Sequence, residues 1–170
     1  MDENELLDIV DKDDNVIGQD TKENKFQKEL TSRNVAIFVM DSNKKLLITK
    51  RAPNKRSFPN RYDLAACGNV QSGETYTDAA KREILEELGI KCDFKLLEKI
   101  FNEFDENNKK LRYFTSIFIG YYSGDVELNE ELVQLKKMSV EEVQEAINEN
   151  KDQFTPGFVN DFVLIKEKLK

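Results

Sequence analysis

Apolar and polar positions alternate near the N-terminus in a pattern that is typical of β-strands. Two such runs, Leu6–Val10 and Val16–Gln19, are separated by the turn-forming residues Asp11–Asn15, which predicts a hairpin. The next segment, Thr21–Leu30, is rich in charged residues and is expected to be a helix or a loop. The N-terminal part of the chain is therefore expected to be a small structural unit in front of the main domain.

Further runs of apolar residues, many of them β-branched or aromatic, predict five more strands. The polar residues Asp41–Asn43 and Asp105–Lys110 separate the first two and the last two of these runs, so each pair is expected to be antiparallel. The basic, proline-containing segment Arg51–Arg61 is expected to be an ordered loop. The five predicted strands cover Asn34–Met40, Lys45–Thr49, Tyr62–Ala66, Phe94–Phe104 and Leu111–Tyr122.

Three segments carry the start and stop signals of helices. Thr77 is expected to cap a central helix over Asp78–Leu88. Gly89 follows the end of this helix, where a left-handed backbone is favoured. Two later helices are predicted, over Val140–Asn148 behind the capping box of Ser139 and Glu142, and from Thr155-Pro156 to about Lys168.

The order of these elements favours an α+β domain over a doubly wound sheet, because the strands are grouped before and after one central helix. A length of 170 residues fits one domain with its own core. We predict an N-terminal hairpin or extension over residues 1–30 and the main domain over residues 31–170. The N-terminal segment is also a candidate arm for a homodimer.

The net charge of −7 argues against nucleic acid as the main partner, because a phosphate backbone needs a concentrated basic surface. It is compatible with a small anionic substrate, since a bound cation can reverse the local field. The chain has no basic and apolar leader, and no apolar run approaches the ~20 residues that span a bilayer. Cys67 and Cys92 fit no zinc spacing. A cytoplasmic protein without nucleic-acid or membrane partners is therefore predicted.

Three glutamates share one face of the predicted central helix. Glu83, Glu86 and Glu87 are related by three and four positions, so their carboxylates lie close together and repel one another. A hard cation such as Mg²⁺ accepts such oxygen ligands. The alternative is a solvated acidic surface, which three glutamates alone would favour. Arg82 is expected to turn aside and bind Glu74, which would fix the preceding loop against the helix.

A longer pattern surrounds these glutamates. Gly68 is followed after five residues by Glu74, and after seven more by the run Arg-Glu-Ile-Leu-Glu-Glu-Leu-Gly-Ile. This segment resembles the Nudix box at every fixed position. The resemblance implies an α/β/α sandwich around a mixed β-sheet, a bound Mg²⁺ or Mn²⁺, and hydrolysis of a diphosphate. It also implies the metal ligands Glu83, Glu86 and Glu87, the orienting residues Glu74, Arg82 and Gly68, and a general base at Glu86, which we favour, or Glu87.

Residues upstream of the box resemble the isopentenyl-diphosphate isomerase-like branch of the same family, notably Phe58–Asp63 and Ala66–Gly68. Cys67 falls where those isomerases keep a catalytic cysteine. Their metal site also requires several histidines, whereas this chain has none, and Asn69 stands at one of the histidine positions. The resemblance therefore implies an isomerase-like scaffold that carries out hydrolysis, and Cys67 is expected to be a small buried residue.

The basic loop before the box supplies Arg51, Lys55 and Arg56 as candidate phosphate-binding residues, although such loops are usually only solvated. The acidic run Glu127–Glu131 is either a solvated turn or another source of a base. Together, these features predict a metal-dependent hydrolase with a small-molecule substrate. The substrate is a nucleoside diphosphate linked to another moiety, and the enzyme cleaves its diphosphate linkage. The alternatives are an isopentenyl-diphosphate isomerase-like enzyme and a non-catalytic nucleotide-binding module.

Overall fold

The N-terminal hairpin is present in the computed structural model, which describes residues 4–170. Strands β1 (Leu6–Val10) and β2 (Val16–Thr21) pair in antiparallel fashion. The short helix α1 (Lys22–Gln27) follows, and the Thr21 side chain caps it by accepting a hydrogen bond from the Asn24 amide. The predicted hairpin strands are therefore present, whereas the division of the chain at residue 30 stays a prediction; residues 1–3 of the predicted extension lie outside the described residues.

The main sheet contains seven strands and is mixed. The strands are β3 (Thr31–Met40), β4 (Leu46–Arg51), β5 (Tyr62–Asp63), β6 (Ala66–Asn69), β7 (Phe94–Glu106), β8 (Lys109–Tyr121) and β9 (Leu132–Met138). Strand β3 runs parallel to β8, and the remaining pairs are antiparallel. The order is β5-β4-β3-β8-β7, with β6 paired to β3 and β9 paired to β4.

Helices cover both faces of this sheet. Helix α2 (Tyr76–Leu88) packs on one face, and α3 (Val140–Glu149) and α4 (Pro156–Ile165) pack on the other. Successive side chains of a strand point to opposite faces, so β3 contributes to both cores. On the α2 side these residues are Val35, Ile37 and Val39, and on the other side Ala36, Phe38 and Met40. The predicted α/β/α sandwich around a mixed sheet is confirmed.

The start of the central helix was predicted wrongly. Helix α2 begins at Tyr76, and its cap is Thr75, two residues before the predicted cap, Thr77. Thr75 has an extended backbone, with φ −82° and ψ 160°, and its hydroxyl oxygen accepts a hydrogen bond from the Asp78 amide at 3.1 Å. This geometry satisfies a free amide of the first turn. Gly89 ends the helix in the left-handed region, as predicted, with φ 67°.

Other differences arise where side chains or turns interrupt a pattern. The predicted strand Tyr62–Ala66 is split, because the Asp63 carboxylate accepts a hydrogen bond from the Leu64 amide at 2.9 Å and turns the chain. The long hairpin turn narrows to Asn107 and Asn108, with φ 50° and 61°, so both flanking strands are longer than predicted. Strand β9 was not predicted. The capping box of α3 is confirmed, whereas α4 gives way to a 3₁₀ turn over Lys166–Lys168.

The N-terminal hairpin supports the loop in front of α2. The Asp8 carboxylate accepts hydrogen bonds from the Ser72 hydroxyl at 2.8 Å and from the Gly73 amide at 3.3 Å. The Asp14 carboxylate, in the hairpin turn, accepts hydrogen bonds from Arg33 Nε at 2.6 Å and from the Tyr76 hydroxyl at 2.9 Å. The hairpin therefore positions the N-terminal end of α2. Over residues 4–170, no helix is long and apolar enough to cross a membrane.

Candidate active site

Arg82 joins the loop, the sheet and helix α2. Its guanidinium donates to both Glu74 carboxylate oxygens, at 2.8 and 2.9 Å, and to the Asn69 carbonyl at 2.9 Å. It also donates to Glu83 at 2.7 Å and reaches Glu86 at 3.4 Å. The predicted contact of Arg82 with Glu74 is therefore present. A planar guanidinium that binds a carboxylate through two nitrogens fixes both position and orientation.

The three glutamates of α2 differ in their exposure. Glu83 and Glu87 are each 8% exposed, whereas the Glu86 side chain is 58% exposed. Burial raises the pKa of Glu83 to about 7, and the positive charge of Arg82 opposes this shift. Burial also raises the pKa of Glu87 well above its ordinary value, and the nearby charge of Glu83 raises it further. Glu83 and Glu87 are therefore two neighbouring buried carboxyl groups, and a nearby positive charge would stabilise their ionised forms.

Gly68 allows this packing. A Cβ atom at position 68 would lie 2.1 Å from Glu83 Oε1 and 2.2 Å from the carboxyl carbon. Atoms at such distances overlap, so any side chain at this position would displace the Glu83 carboxylate. The end of β6 thus forms a backbone surface against which Glu83 rests.

The donor set has the chemistry that Mg²⁺ or Mn²⁺ prefers, since carboxylate oxygens are hard ligands. No group of three acidic or cysteine side chains converges on one point among the described residues. Glu83 and Glu86 instead contact the Arg82 guanidinium, at 2.7 and 3.4 Å. The need for positive charge at Glu83 and Glu87 fits a divalent cation at this place.

A cleft of about 820 Å³ opens beside these glutamates and continues across the sheet to α4. Helix α2 contributes to one end of the cleft, the α2 wall, and helix α4 contributes to the other, the α4 wall. The α2 wall consists of Gly68, Arg82, Glu83, Glu86 and Glu87. The α4 wall consists of Thr155, Gly157, Phe158 and Asp161, together with Tyr113 and Thr115 of β8.

The three basic residues proposed for phosphate binding all line this cleft, and each also contacts an acidic side chain. Arg51 lies 3.3 Å from the Asp63 carboxylate. Lys55 forms an ion pair with Glu131, and its side chain is only 9% exposed. Arg56 pairs with Glu23 of α1 and lies over the Phe26 ring. The structure brings these cations to the same cleft as the glutamates, while holding each one against a local anion.

Sequence reasoning missed several residues of the cleft. Asp63 is 6% exposed and accepts a hydrogen bond from the Thr155 hydroxyl at 3.0 Å, and no local pattern marks it. Asn129 donates to the Glu86 carbonyl at 3.1 Å, so the acidic run that contains Glu131 packs against the end of α2. Asp161 had a readable signal, because it is a polar residue on the same helical stripe as apolar, buried neighbours.

Cys67 lies at the inner side of the cleft, and its thiol sulfur is 3.8 Å from the Asp63 carboxylate. Burial raises the pKa of the Cys67 thiol well above its ordinary value, and the charges of Asp63 and Glu87 raise it further. A thiol in such surroundings stays protonated and is a weak nucleophile. Cys67 was expected to be a small buried residue; the structure leaves it partly buried, at the end of β6.

Comparisons with known proteins agree with the geometry. The NUDIX domain family model matches residues 30–158. An isopentenyl-diphosphate Delta-isomerase from Photorhabdus laumondii is 31% identical over 91% of this chain and 88% of its own length. A prenyl-diphosphate phosphatase from Methanosarcina mazei is 29% identical over 89% of both chains. An uncharacterized Nudix hydrolase from Nostoc is 45% identical, although the match spans about half of either chain, 53% and 54%.

Among solved structures, a Deinococcus radiodurans protein superimposes with a TM-score of 0.70 at 27% identity, over 86% of this chain and 90% of its own. A MutT protein from Methanosarcina mazei superimposes with a TM-score of 0.65 at 21% identity, over 81% and 94% of the two chains, which bears on the fold alone. The family model covers well over half of the chain, and full-length relatives agree with it. The chain therefore belongs to the Nudix hydrolase family, whose enzymes act on pyrophosphate bonds.

Proposed function

We propose that this protein is a Mg²⁺- or Mn²⁺-dependent hydrolase of a nucleoside diphosphate linked to another moiety. The carrying observation is the buried pair Glu83 and Glu87, which lies beside the exposed Glu86 at one end of a cleft. The other end of the same cleft carries the polar side chains of Thr155, Asp161, Tyr113 and Thr115. This arrangement suits a substrate with an anionic centre and a hydrogen-bonding group attached to it.

In this proposal Glu83, Glu86 and Glu87 hold the metal. When bound, the metal offsets negative charge on the phosphate oxygens and lowers the pKa of a coordinated water. Arg82 keeps Glu83 in place while Glu74 keeps Arg82 in place. Gly68 leaves the space that the Glu83 carboxylate occupies.

Glu86 is the proposed general base, with Glu87 as the alternative. Its carboxylate is the most exposed of the three glutamates on this face, so it can reach a water molecule in the cleft and take up a proton. Arg51, Lys55 and Arg56 are proposed to bind phosphate oxygens at the cleft surface, where the substrate would compete with the carboxylates that now contact them.

A phosphate-release screen with Mg²⁺ and with Mn²⁺ tests the proposal. The compounds are nucleotide sugars, dinucleotides, nucleoside triphosphates and prenyl diphosphates. Glu83→Gln and Glu87→Gln are expected to lower kcat/KM by about 100-fold or more while circular dichroism stays unchanged, because each removes a charge that the reaction needs. Glu145→Gln, on the exposed face of α3, is the matched control and is expected to stay within about twofold of wild type. Full activity in the Glu83 and Glu87 variants would contradict the proposal.

A second candidate is hydrolysis of a prenyl diphosphate. The full-length similarity to the prenyl-diphosphate phosphatase from Methanosarcina mazei supports it. A hydrocarbon tail against the α4 wall would leave Asp161 Oδ1 without a hydrogen-bond partner, which makes this candidate weaker. Release of phosphate from dimethylallyl diphosphate, with no turnover of any nucleoside diphosphate, would decide in its favour.

The isomerase alternative is weaker still, because no histidine is available for the metal site of those enzymes. Conversion of isopentenyl diphosphate to its allylic isomer, lost in Cys67→Ser, would revive it. A non-catalytic binding module would show calorimetric binding of a nucleotide without turnover. A cytoplasmic location and a homodimer stay predictions.

A further inference from the structure

Asp161 is the one buried carboxyl group of the α4 wall. Its side chain is 3% exposed, on the inner face of α4 between Phe158 and Ile165. In the part of the chain that the structure describes, Asp161 Oδ1 is buried and has no hydrogen-bond partner, and the residue lines the cleft. A buried polar atom without a partner destabilises a fold. Such an atom in a cleft is therefore a candidate for binding a ligand.

The neighbours of Asp161 form a polar network. The Asn102 side chain hydrogen-bonds to the Asp161 carboxyl group and donates to the Thr115 hydroxyl at 3.0 Å. The Asn102 side-chain carbonyl accepts a hydrogen bond from the Asn160 side-chain amide at 2.7 Å. The network thus fixes Asp161 from one side and leaves Oδ1 unused.

The space in front of this network belongs to the cleft. Asp161, Tyr113 and Thr115 all line it, as does Gly157, one turn earlier on α4. A Cβ atom at Gly157 would lie 3.5 Å from the Tyr113 hydroxyl, so a side chain here would narrow the space beside Tyr113. The charge of Asp63 acts on both Glu87 and Asp161, which shows that the two walls lie within electrostatic reach of the same residue.

We propose that Asp161, positioned by Asn102, binds a hydroxyl group of the sugar in a nucleoside diphosphate substrate. This inference rests on the proposed function and specifies the group that the α4 wall recognises. A carboxyl oxygen without a partner is satisfied by a hydroxyl donor and is left unsatisfied by a hydrocarbon chain. The subsite therefore selects a sugar-bearing diphosphate over a prenyl diphosphate.

The protonation state of Asp161 agrees with this assignment. Burial raises the pKa of Asp161 to about 8, while the hydrogen bond from Asn102 opposes the shift and the charge of Asp63 adds to it. At neutral pH the side chain is therefore mostly a neutral carboxylic acid. A neutral acid both donates and accepts a hydrogen bond, as a hydroxyl group does.

Binding measurements test the subsite independently of turnover. ADP-ribose, UDP-glucose and dimethylallyl diphosphate are titrated with Mg²⁺ into Glu86→Gln, alone and combined with Asp161→Leu. Glu86→Gln lacks the proposed general base and is expected to turn over slowly, while Glu83 and Glu87 remain to hold the metal. We expect Asp161→Leu to raise Kd for the two nucleotide sugars about tenfold, or 1.4 kcal/mol, and to leave Kd for dimethylallyl diphosphate unchanged. Asp161→Asn, which keeps donor and acceptor atoms, is expected to restore most of the affinity. Asp152→Asn, an exposed site on the other side of Thr155, is the matched control.

In the otherwise wild-type enzyme, Asp161→Leu is expected to raise KM for the nucleotide sugars and to change kcat by less than about threefold, because its contact is remote from the diphosphate. The inference is overturned if all three Kd values are insensitive to Asp161→Leu, or if neither nucleotide sugar binds. If the nucleotide sugars bind through Asp161 but wild type does not cleave them, the subsite stands and the proposed hydrolysis fails. The two ideas therefore fail separately.

Discussion

The two walls of the cleft differ in the groups that surround their buried carboxyl groups. On the α2 wall, Glu83 contacts Arg82, and the charge of Lys55 acts on Glu87. On the α4 wall, Asp161 has an amide neighbour, and no cation contributes to its pKa. Burial raises the pKa of all three carboxyl groups, but on the α2 wall the charges of Arg82 and Lys55 oppose the shift. A positively charged ligand therefore suits the first wall, whereas a hydrogen-bonding group suits the second.

The largest expected effect comes from closing the space under Glu83. Gly68→Ala would place a methyl group on the Glu83 carboxylate. We expect kcat/KM to fall by about 100-fold or more and stability to fall by about 1–3 kcal/mol, as for an overpacked site. Gly18→Ala is the matched control, because no atom lies within 4 Å of a Cβ atom placed there. Chemical denaturation and steady-state kinetics measure the two effects. An unchanged kcat/KM in Gly68→Ala would contradict the proposed role of Glu83 in the α2 wall.

A smaller effect is expected at Arg82. Lysine keeps the charge but cannot bind both Glu74 oxygens, Asn69 and Glu83 at once. We expect Arg82→Lys to lower kcat/KM by about tenfold and the unfolding free energy by about 1–2 kcal/mol. Arg112→Lys changes a partly exposed arginine that pairs with Glu103, and serves as the control. Equal effects of the two substitutions would show that Arg82 stabilises the fold in general and does not specifically position the residues of the α2 wall.

The α4 wall predicts a pH dependence of stability. The folded pKa of Asp161, about 8, is raised above the unfolded value of 3.8, so the folded state holds a proton that the unfolded state releases. The stability from this group is complete below about pH 4 and is lost as pH rises to about 8, by at most ~1.4 kcal/mol per pH unit. Asp161→Asn removes this loss. Its unfolding free energy relative to wild type is therefore expected to increase from pH 5 to pH 8.

Urea unfolding of the two proteins at pH 5, 6, 7 and 8 measures this difference, in which titration of the shared groups cancels. A constant difference across these pH values would mean that Asp161 is ionised in the folded protein. The hydrogen-bonding role of the neutral acid on the α4 wall, on which the comparison with the α2 wall rests, would then fail.

The smallest effect concerns the beginning of α2. Thr75→Ala removes the cap and is expected to cost about 1 kcal/mol of stability, with little change in kcat because the cap lies a turn or more from the glutamates. Thr77→Ala, at the position first expected to be the cap, is the control and is expected to be within about 0.5 kcal/mol of wild type. Thermal and chemical unfolding distinguish the two variants. The reverse order would restore Thr77 as the cap.

The sequence was sufficient for features that are set by neighbours along the chain. The period-two and helical patterns located most strands and three helices, and the spacing of Glu83, Glu86 and Glu87 placed them on one face. The place of Asp63 in the cleft, and the contact of Glu131 with Lys55, could not be found in this way, because tertiary folding brings these segments together. Some strand ends also differ from the prediction where a side chain hydrogen-bonds to the backbone, as at Asp63, which accepts a hydrogen bond from the Leu64 amide where β5 ends.

The N-terminal hairpin has a practical consequence for anyone who shortens or recombines this enzyme. A chain trimmed to residues 30–158, the extent of the family match, would lose Asp8 and Asp14, so Ser72, Gly73 and Tyr76 would lose their acceptors. It would also end before Asp161. The smallest unit that a family comparison recognises is thus narrower than the unit that positions the cleft, and a graft between relatives should carry both flanking segments with it.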